Sequence, residues 1–542
     1  MKKNGIFIIA DSLRYDVLSD PVAARALTPN LSKLIERGFL RRVIANAQAT
    51  QFVVPTLFSQ TYPLDYGGYN NGIRERPASF NECLQDAGYE THYFACVNQL
   101  GVTMSFDRGF KHIHAAVDYR SILSYRIDKT LSYEFELADR GEKSEAEAYE
   151  VVASELTLIF DGIREAIKIS QKSTWPRQLK KANETLARAC ETEKELLTNH
   201  PGIVLEKLRT LSPKLYCRFL GEDRISPLKL FKARTVESID WRSRRFLERC
   251  GFPYIPQAYC QIVAKDALSV IVRALSSFKR PWHIYFHFMD IHDCTSFNRP
   301  LEVLRRYKFL PQLLRARRKG LTKRRYPYDL AVMAADEQIG LLVEKLRQTD
   351  QLEETVILVT SDHGDWYSES PRGTKKTMGL RMHYENIEVP LVLAGGDRQP
   401  SDEGLVDSMG VTASFLDALN VSQHSSFKGK SVFGPGRRAV ISENAGRGNA
   451  DVTRRDLYFS VTSPTHKLMA ILHGNQLELH ELYDLKSDPK ELKNILRNPN
   501  AAPIVDGLLQ QLFDERKELL AMRGARIDDI HSPPAESTSI FH

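Results

Sequence analysis

The first apolar run of the chain, residues 5–10, places the strongest constraint on its fold. It consists of GIFIIA and ends directly at Asp11. An apolar run of this length without polar alternation is typical of a strand buried on both faces of a parallel sheet. Similar runs at 91–97, 283–289, 355–360 and 389–394 alternate with helical patterns such as those at 28–38 and 80–87. This alternation predicts an α/β fold with a mainly parallel central sheet.

The middle of the chain has a different pattern. Between residues 115 and 250 strand signals fade, and charged residues and Leu recur at helical spacing, most clearly at 147–167 and 178–197. We therefore predict a catalytic α/β domain formed by 1–114 and 251–440 and interrupted by a helical insertion at 115–250. A small C-terminal subdomain is expected at 441–525, and the polar tail at 526–542 is expected to be disordered.

Composition sets broad limits on the class of protein. Of the 542 residues, 42% are hydrophobic and 26% are charged, which is typical of a globular chain. The net charge of +7 is small for this length, so it permits an anionic substrate without predicting a nucleic-acid partner. The cysteine count is seven, an odd number, and no C-x-x-C occurs, which argues against a disulfide framework. No apolar run has the length of a signal-peptide core or a membrane span, so a cytoplasmic location is expected. The oligomeric state stays open.

Two predicted strands end in residues that carry chemistry. Asp11 follows the first strand, and Asp362, His363 and Gly364 follow a later one. Because the carboxyl ends of parallel strands meet at one edge of a sheet, these side chains are expected to converge. Carboxylate and imidazole groups are suitable ligands for a divalent cation. Taken singly, either Asp could instead cap the helix that follows it.

Ten short segments follow one another along the chain. They are IADSLRYD at 9–16, TPNL at 28–31, LFSQTYP at 57–63, AGYET at 87–91, FDRGF at 106–110, FMDIH at 288–292, DEQIG at 336–340, VTSDHG at 359–364, YENIEVPL at 384–391 and LYDLKSDP at 482–489. In their order, these segments resemble the sulfatase family of the alkaline phosphatase superfamily. The resemblance covers most of the chain except the helical insertion and the tail, and it implies an alkaline-phosphatase-like sandwich with helices on both faces of the sheet. It also implies a small antiparallel sheet in the C-terminal subdomain.

The resemblance places the nucleophile at Thr50. Sulfatases of this family carry a Cys or Ser that is converted to formylglycine in C/S-x-P-x-R, upstream of the segment that matches 57–63. Here Thr occupies that position, Phe52 replaces the Pro and Val54 replaces the Arg. Since Thr cannot give formylglycine, we expect the hydroxyl of Thr50 to attack directly, as in family members that act on phosphorus esters. Thr56, which follows a Pro, is the rival candidate.

The same resemblance assigns further site residues. Asp11, Asp362 and His363 are expected to hold one divalent ion (Mg, Mn, Ca or Zn), and a second ion near Asp290, His292 and His383 is left open. His292 is expected to assist the leaving group, while His287 is expected to be a strand-face residue without a role. The predicted contacts to the anionic group of the substrate are Arg14, Lys376 and His383.

These residues predict a metal-dependent hydrolase of phosphate or sulfate esters, with phosphoester cleavage favoured by the Thr nucleophile. The expected partner is an anionic ester whose alcohol part could belong to a glycan or a lipid. Two alternatives remain: a phosphoalcohol transferase acting on a glycan or lipid, and a non-catalytic sulfatase-like binding protein. The basic stretch at 299–325 could line a substrate entrance or form an ordinary solvated face.

Overall fold

The protein is built around an eight-stranded central sheet. The structure is a computed structural model that describes residues 2–95, 104–115, 119–170, 177–249, 264–292, 294, 305–316, 325–365, 378–446, 450–527 and 530. The strands are β1 (Asn4–Ala10), β2 (Gly38–Ile44), β3 (Glu90–Ala95), β4 (His112–Ala115), β5 (Trp282–Phe288), β6 (Thr355–Thr360), β7 (Glu388–Ala394) and β8 (Val406–Asp407). Their order is β4-β3-β5-β1-β6-β7-β2-β8. Strand β7 is antiparallel to its neighbours β6 and β2, whereas the other neighbouring pairs are parallel. The predicted mainly parallel sheet is confirmed.

Helices cover both faces of this sheet. The α-helices before the insertion are α1 (Pro21–Leu27), α2 (Pro29–Glu36), α3 (Thr50–Ser59) and α4 (Phe80–Asp86). Those after it are α12 (Ala264–Ala274), α13 (Leu310–Arg315), α14 (Arg325–Gln348), α15 (Tyr384–Ile387) and α16 (Ser408–Ala418), followed by α17 (Ala502–Glu515) and α18 (Lys517–Met522). Short 3₁₀ helices lie at Tyr15–Val17, Leu275–Ser277, Tyr307–Phe309, Met378–Leu380 and Pro499–Ala501.

Strand β1 lies in the middle of the sheet because its side chains are apolar on both faces. Ile6 and Ile8 belong to a core formed with α2, α12 and α14. Phe7 and Ile9 belong to the opposite core, formed with α3 and α16. Each of these side chains is fully buried, and burial of such a side chain contributes about 1.5–3 kcal/mol. This packing fixes the end of β1, and therefore Asp11, in the centre of the sheet edge.

The described residues between 119 and 249, which exclude 171–176, form seven α-helices. They are α5 (Tyr119–Arg126), α6 (Ser132–Asp139), α7 (Glu145–Ser170), α8 (Arg177–Asn199), α9 (Pro201–Thr210), α10 (Pro213–Arg218) and α11 (Pro227–Arg249), with a π-helix at Ile127–Leu131 between α5 and α6. The helices predicted at 147–167 and 178–197 lie within α7 and α8. The limits chosen for the domains stay a prediction.

A second sheet lies near the C-terminus. It is antiparallel, with the order β12-β11-β10-β9, and consists of β9 (Val440–Asn444), β10 (Leu457–Thr462), β11 (His466–His473) and β12 (Gln476–Asp484). Arg516 connects this region to the central one, since it donates to Glu443 Oε2 and to Asp65 Oδ1 at 2.7 Å each. The antiparallel pairing of β9 to β12 confirms the small antiparallel sheet predicted for the C-terminal subdomain. The tail predicted at 526–542 lies mostly outside the described residues.

Within the described residues, no helix contains a stretch that is long and apolar enough to cross a lipid bilayer.

Candidate active site

The acidic and imidazole groups at the centre of the site lie at the carboxyl ends of three neighbouring strands. β1 pairs with β5 on one side and β6 on the other, with Ile9 opposite both His287 and Thr360. Asp11 follows the last residue of β1, and Asp362 lies two residues beyond the end of β6. Both carboxylates are fully buried. The convergence predicted for the carboxyl ends of these strands therefore occurs.

Thr50 lies beside Asp11, at the start of a helix. It is the first residue of α3, and its Oγ1 donates to Asp11 Oδ2 at 3.1 Å and lies 3.1 Å from His363 Nε2. The turn before α3 is fixed by the buried Asn46, whose side chain accepts from Ser408 N at 3.1 Å and donates to Ile441 O at 2.8 Å. Because the positive end of the helix dipole lies at Thr50, negative charge that develops on its oxygen is stabilised there.

His363 is oriented by its neighbours. Its Nδ1 lies 2.5 Å from Gly364 O, so Nδ1 carries the proton that donates to this carbonyl and Nε2 faces Thr50. Ser361 Oγ accepts from Leu13 N at 3.0 Å and donates to His363 O at 2.8 Å, which joins the loops after β1 and β6. Burial alone would lower the pKa of His363, but the carboxylates of Asp362 and Asp11 act against it, and the net result is a raised pKa.

Asp11 lies at the centre of a hydrogen-bonded cluster. Its Oδ1 accepts from Ser12 Oγ at 3.0 Å, and its Oδ2 lies 3.3 Å from His287 Nε2. Burial by itself would raise the pKa of the Asp11 carboxyl. The hydrogen bond to His287 and the nearby rings of His292 and His363 outweigh burial, so the pKa of Asp11 lies below its ordinary value. Asp11 is therefore ionised and acts only as an acceptor.

The donor groups fit a divalent cation. Nε2 of His363 lies 3.7 Å from Asp11 Oδ1 and 3.6 Å from Asp362 Oδ2. Ligand bonds of about 2.0–2.2 Å place neighbouring ligand atoms of a four-coordinate site about 3.2–3.6 Å apart, which is close to these separations and to the two Thr50 distances. Asp362 Oδ2 is buried and has no hydrogen-bond partner, as expected of an atom reserved for an ion. The chemistry of this set suits the predicted Mg, Mn, Ca or Zn.

His287 is a member of the cluster that sequence reasoning did not select. One ligand atom each from Asp11, His287 and Asp362 lies within 4.8 Å of the other two, and all three residues are buried. The expectation that His287 is only a strand-face residue therefore does not describe its position. Its place next to the end of β5, beside β1, was the signal that could have identified it.

His292 and Arg14, two other predicted residues, also lie near this cluster. The ring of His292 is perpendicular to that of His363, with centroids 6.2 Å apart. Arg14 is buried; it donates to Asp365 O at 3.2 Å and pairs with Asp16 at 2.9 Å, so it joins the loops that follow β1 and β6. Their predicted roles at the leaving group and the anionic group stay predictions.

The remaining candidates have other contacts. His383 precedes α15, and its Nε2 lies 3.0 Å from Glu481 Oε2 on β12. Asp290 Oδ2 accepts from the backbone N of Ala264 at 2.8 Å, at the start of α12. Thr56 is buried, and its Oγ1 has no hydrogen-bond partner. Lys376 lies outside the described residues, as do residues 299–304 and 317–324 of the basic stretch at 299–325.

The sequence is similar to those of known proteins. A family model described as Sulfatase matches residues 3–421. The chain is 27% identical over 210 residues to an N-acetylglucosamine-6-O-sulfatase of Bacteroides thetaiotaomicron, a match that covers 35% of each chain. It is also 27% identical over 210 residues to a choline-sulfatase of Rhizobium meliloti, covering 36% of this chain and 38% of the relative. The chain thus matches little more than a third of the length of these relatives.

The fold is also found in a solved structure, that of the phosphonate monoester hydrolase of Agrobacterium radiobacter. The two chains superpose with a TM-score of 0.53 at 15% identity, and the match covers 96% of both. At this identity the likeness concerns the fold. Because the family model spans most of the chain, the protein belongs to the sulfatase family of ester-hydrolysing enzymes, within the alkaline phosphatase superfamily.

Proposed function

We propose that this protein hydrolyses phosphorus esters, with the unmodified hydroxyl of Thr50 as the nucleophile. The observation that carries the proposal is the position of Thr50 Oγ1, which lies 3.1 Å from both Asp11 Oδ2 and His363 Nε2 at the start of a helix. A Thr hydroxyl is a weak nucleophile unless its surroundings favour loss of the proton. Here the hydroxyl donates to the ionised carboxylate of Asp11, and the helix dipole stabilises negative charge on the oxygen.

Asp11, Asp362 and His363 are the residues that would hold a divalent ion, with His287 as a further ligand. When bound, such an ion neutralises the anionic ester oxygens and favours the ionised form of the hydroxyl. The buried Asp362 Oδ2 without a hydrogen-bond partner supports this assignment.

The proposed reaction has two steps. In the first, Thr50 Oγ1 attacks phosphorus and loses its proton to water, while the ionised Asp11 stays a hydrogen-bond acceptor. The bond between phosphorus and the leaving oxygen breaks, and His292 gives its proton to that oxygen. In the second step water attacks phosphorus and gives a proton back to His292. The bond to Thr50 then breaks, and Oγ1 takes up a proton from water.

The choice of phosphorus rests on the chemistry of Thr. Formylglycine requires a primary Cys or Ser side chain, whereas Thr carries a methyl group on the carbon that bears its hydroxyl. Oxidation of Thr would give a ketone and not an aldehyde. A direct hydroxyl attack with a covalent intermediate therefore fits this chain better than the formylglycine route.

The test is turnover on matched aryl phosphate, phosphodiester, phosphonate and sulfate esters with Mg, Mn, Ca or Zn. Thr50→Ala should lower kcat/KM by at least roughly 1000-fold, because the nucleophile is removed. Thr50→Ser should keep part of the activity, and Thr56→Ala is the matched control on the same helix and should keep nearly all of it. Full activity in Thr50→Ala, or loss only in Thr56→Ala, would overturn the assignment.

Sulfate ester hydrolysis is the second candidate, favoured by the names of the two curated relatives. The substrates tested should then include sulfate esters whose alcohol part is an amino sugar. Turnover of sulfate esters alone would support this second function. Slow hydrolysis that accelerates with an added alcohol would instead support a transferase.

A further inference from the structure

A second group of metal-ligating side chains lies away from the candidate active site. It consists of Glu90 and His92 on β3 and His112 on the edge strand β4. His92 pairs with His112 in the parallel register of these strands. Glu90 pairs with Trp282, the first residue of β5, whereas His287 lies near the other end of that strand. Five residues along a strand correspond to about 16 Å, so the group lies at the opposite end of the sheet from Asp11.

The ligand atoms converge on one carboxylate oxygen. Glu90 Oε1 lies 3.3 Å from His92 Nε2 and 3.2 Å from His112 Nε2. Ligands bound to one zinc ion at about 2.0–2.2 Å are about 3.2–3.6 Å apart, so these separations suit two edges of a tetrahedral site. One ligand atom from each of the three residues lies within 4.8 Å of the other two.

His92 supplies an independent observation that points to a ligand. Its side chain is 3% exposed, and neither ring nitrogen makes a hydrogen bond. Buried polar groups are almost always hydrogen-bonded, and leaving one without a partner is unfavourable. Phe278 stacks on the ring with centroids 3.8 Å apart and holds it in place. Nε2 is therefore fixed towards Glu90 without a partner of good geometry.

The second oxygen of Glu90 is already engaged. Glu90 Oε2 accepts from the backbone N of Lys279 at 2.7 Å, which orients the carboxylate and leaves Oε1 for an ion. Supporting hydrogen bonds of this kind are typical of metal ligands. The His112 side chain is 40% exposed, so a path from solvent and room for a water ligand are available. The next imidazole on β4, His114, stacks on Phe94 and is not part of the ligand set.

We propose that Glu90, His92 and His112 form a binding site for a divalent transition ion, with zinc as the best match for one carboxylate and two imidazoles. The ion cross-links β3 to the edge strand β4. Because it lies at the opposite end of the sheet from Asp11, the ion has a structural role and not one in ester cleavage.

The test uses untagged, metal-free protein and counts bound Zn²⁺ by competition with a chromophoric chelator. Asp362→Asn serves as the background because it weakens ion binding at the candidate active site. Adding His112→Asn should lower the stoichiometry by one equivalent, and adding Glu90→Gln should do the same. Adding His114→Asn, the matched control, should leave it unchanged.

Two further readouts separate the proposal from misfolding. Co²⁺ should give the visible spectrum of a four-coordinate site in the Asp362→Asn protein, and His112→Asn should abolish it while the circular dichroism stays unchanged. His112→Asn alone should leave ester hydrolysis as in the wild type. Equal Zn²⁺ stoichiometry in the His112→Asn and His114→Asn proteins would overturn the site.

Discussion

Replacing Asp362 by Asn should leave the metal-free protein at least as stable as the wild type, while removing its stabilisation by a divalent cation. Asp362 is fully buried. Its Oδ1 accepts one hydrogen bond of 3.3 Å from Ser361 Oγ, and its Oδ2 has no hydrogen-bond partner. The effective cost of burying a charge is several kcal/mol, and without an ion little in this site offsets it.

Two charge interactions of Asp362 act in opposite directions. The ring of His363 lies 3.6 Å away, and the nearest ligand oxygen of Asp11 lies within 4.8 Å. At an effective dielectric constant of about 20, loss of the attraction between Asp362 and a protonated His363 costs about 4–5 kcal/mol. Loss of the repulsion between the carboxylates of Asp362 and Asp11 stabilises the variant by at least about 3 kcal/mol. Because these nearly cancel, desolvation decides the sign. We expect the variant to be more stable without metal by about 1–3 kcal/mol.

The assay is thermal unfolding in EDTA and with each of Mg²⁺ and Ca²⁺; Mn²⁺ and Zn²⁺ are left out because the site proposed at Glu90, His92 and His112 would respond to transition ions in both proteins. A cation at about 100 times its Kd should stabilise the wild type by about 2.7 kcal/mol and Asp362→Asn much less. Asp336→Asn is the matched control: its buried carboxylate accepts from Asn30 N and Leu31 N, so this variant should lose stability and keep the response to the cation. A marked loss of stability in Asp362→Asn in EDTA, together with a full response to the cation, would refute the reasoning.

Three further outcomes follow from the structure. His292→Asn should slow cleavage of alkyl esters by about 100-fold to 10,000-fold and that of activated aryl esters much less; equal effects on both, measured by kcat/KM, would remove its role at the leaving group. Burial lowers the pKa of His283 to about 3, so its contribution to stability is present above the unfolded value of about 6.5 and is lost as the pH falls through 6.5 towards 3. The Tm of the wild type should therefore fall more between pH 7.5 and 5.5 than that of His283→Gln, and an equal or smaller fall would contradict this. Arg516→Leu leaves Glu443 buried without its partner and should cost about 3–5 kcal/mol; a Tm close to that of the wild type would contradict this.

The sheet and the position of Asp11 could be predicted because the signals are local. An apolar run such as that of β1 has few alternatives to a buried strand, and the residue after it must lie at the edge of the sheet. The same reasoning applied to β6 and brought Asp362 and His363 to the same place. Thr50 could not be placed in this way, and only the spacing of a resembled family pointed to it.

Other features of the site depend on contacts between distant segments. Whether His287 faces Asp11 or another residue depends on the register of β5 against β1, which periodicity alone does not define. Asp290 was a candidate ligand, but α12 supplies the backbone N of Ala264 to its carboxylate from a segment 26 residues earlier. Similarly, Nε2 of His383 contacts Oε2 of Glu481, which lies on the second sheet. Such long-range pairings leave no periodic pattern in the sequence.

The central claim is that the Thr50 oxygen attacks the ester, and trapping the covalent intermediate tests it most directly. The wild-type protein would be mixed with a reactive aryl phosphonate, quenched with acid and digested for mass spectrometry. The account predicts a phosphonyl adduct on the peptide that contains Thr50, and no adduct in Thr50→Ala. An adduct on a peptide without Thr50, or turnover in Thr50→Ala at the rate of the wild type, would contradict it.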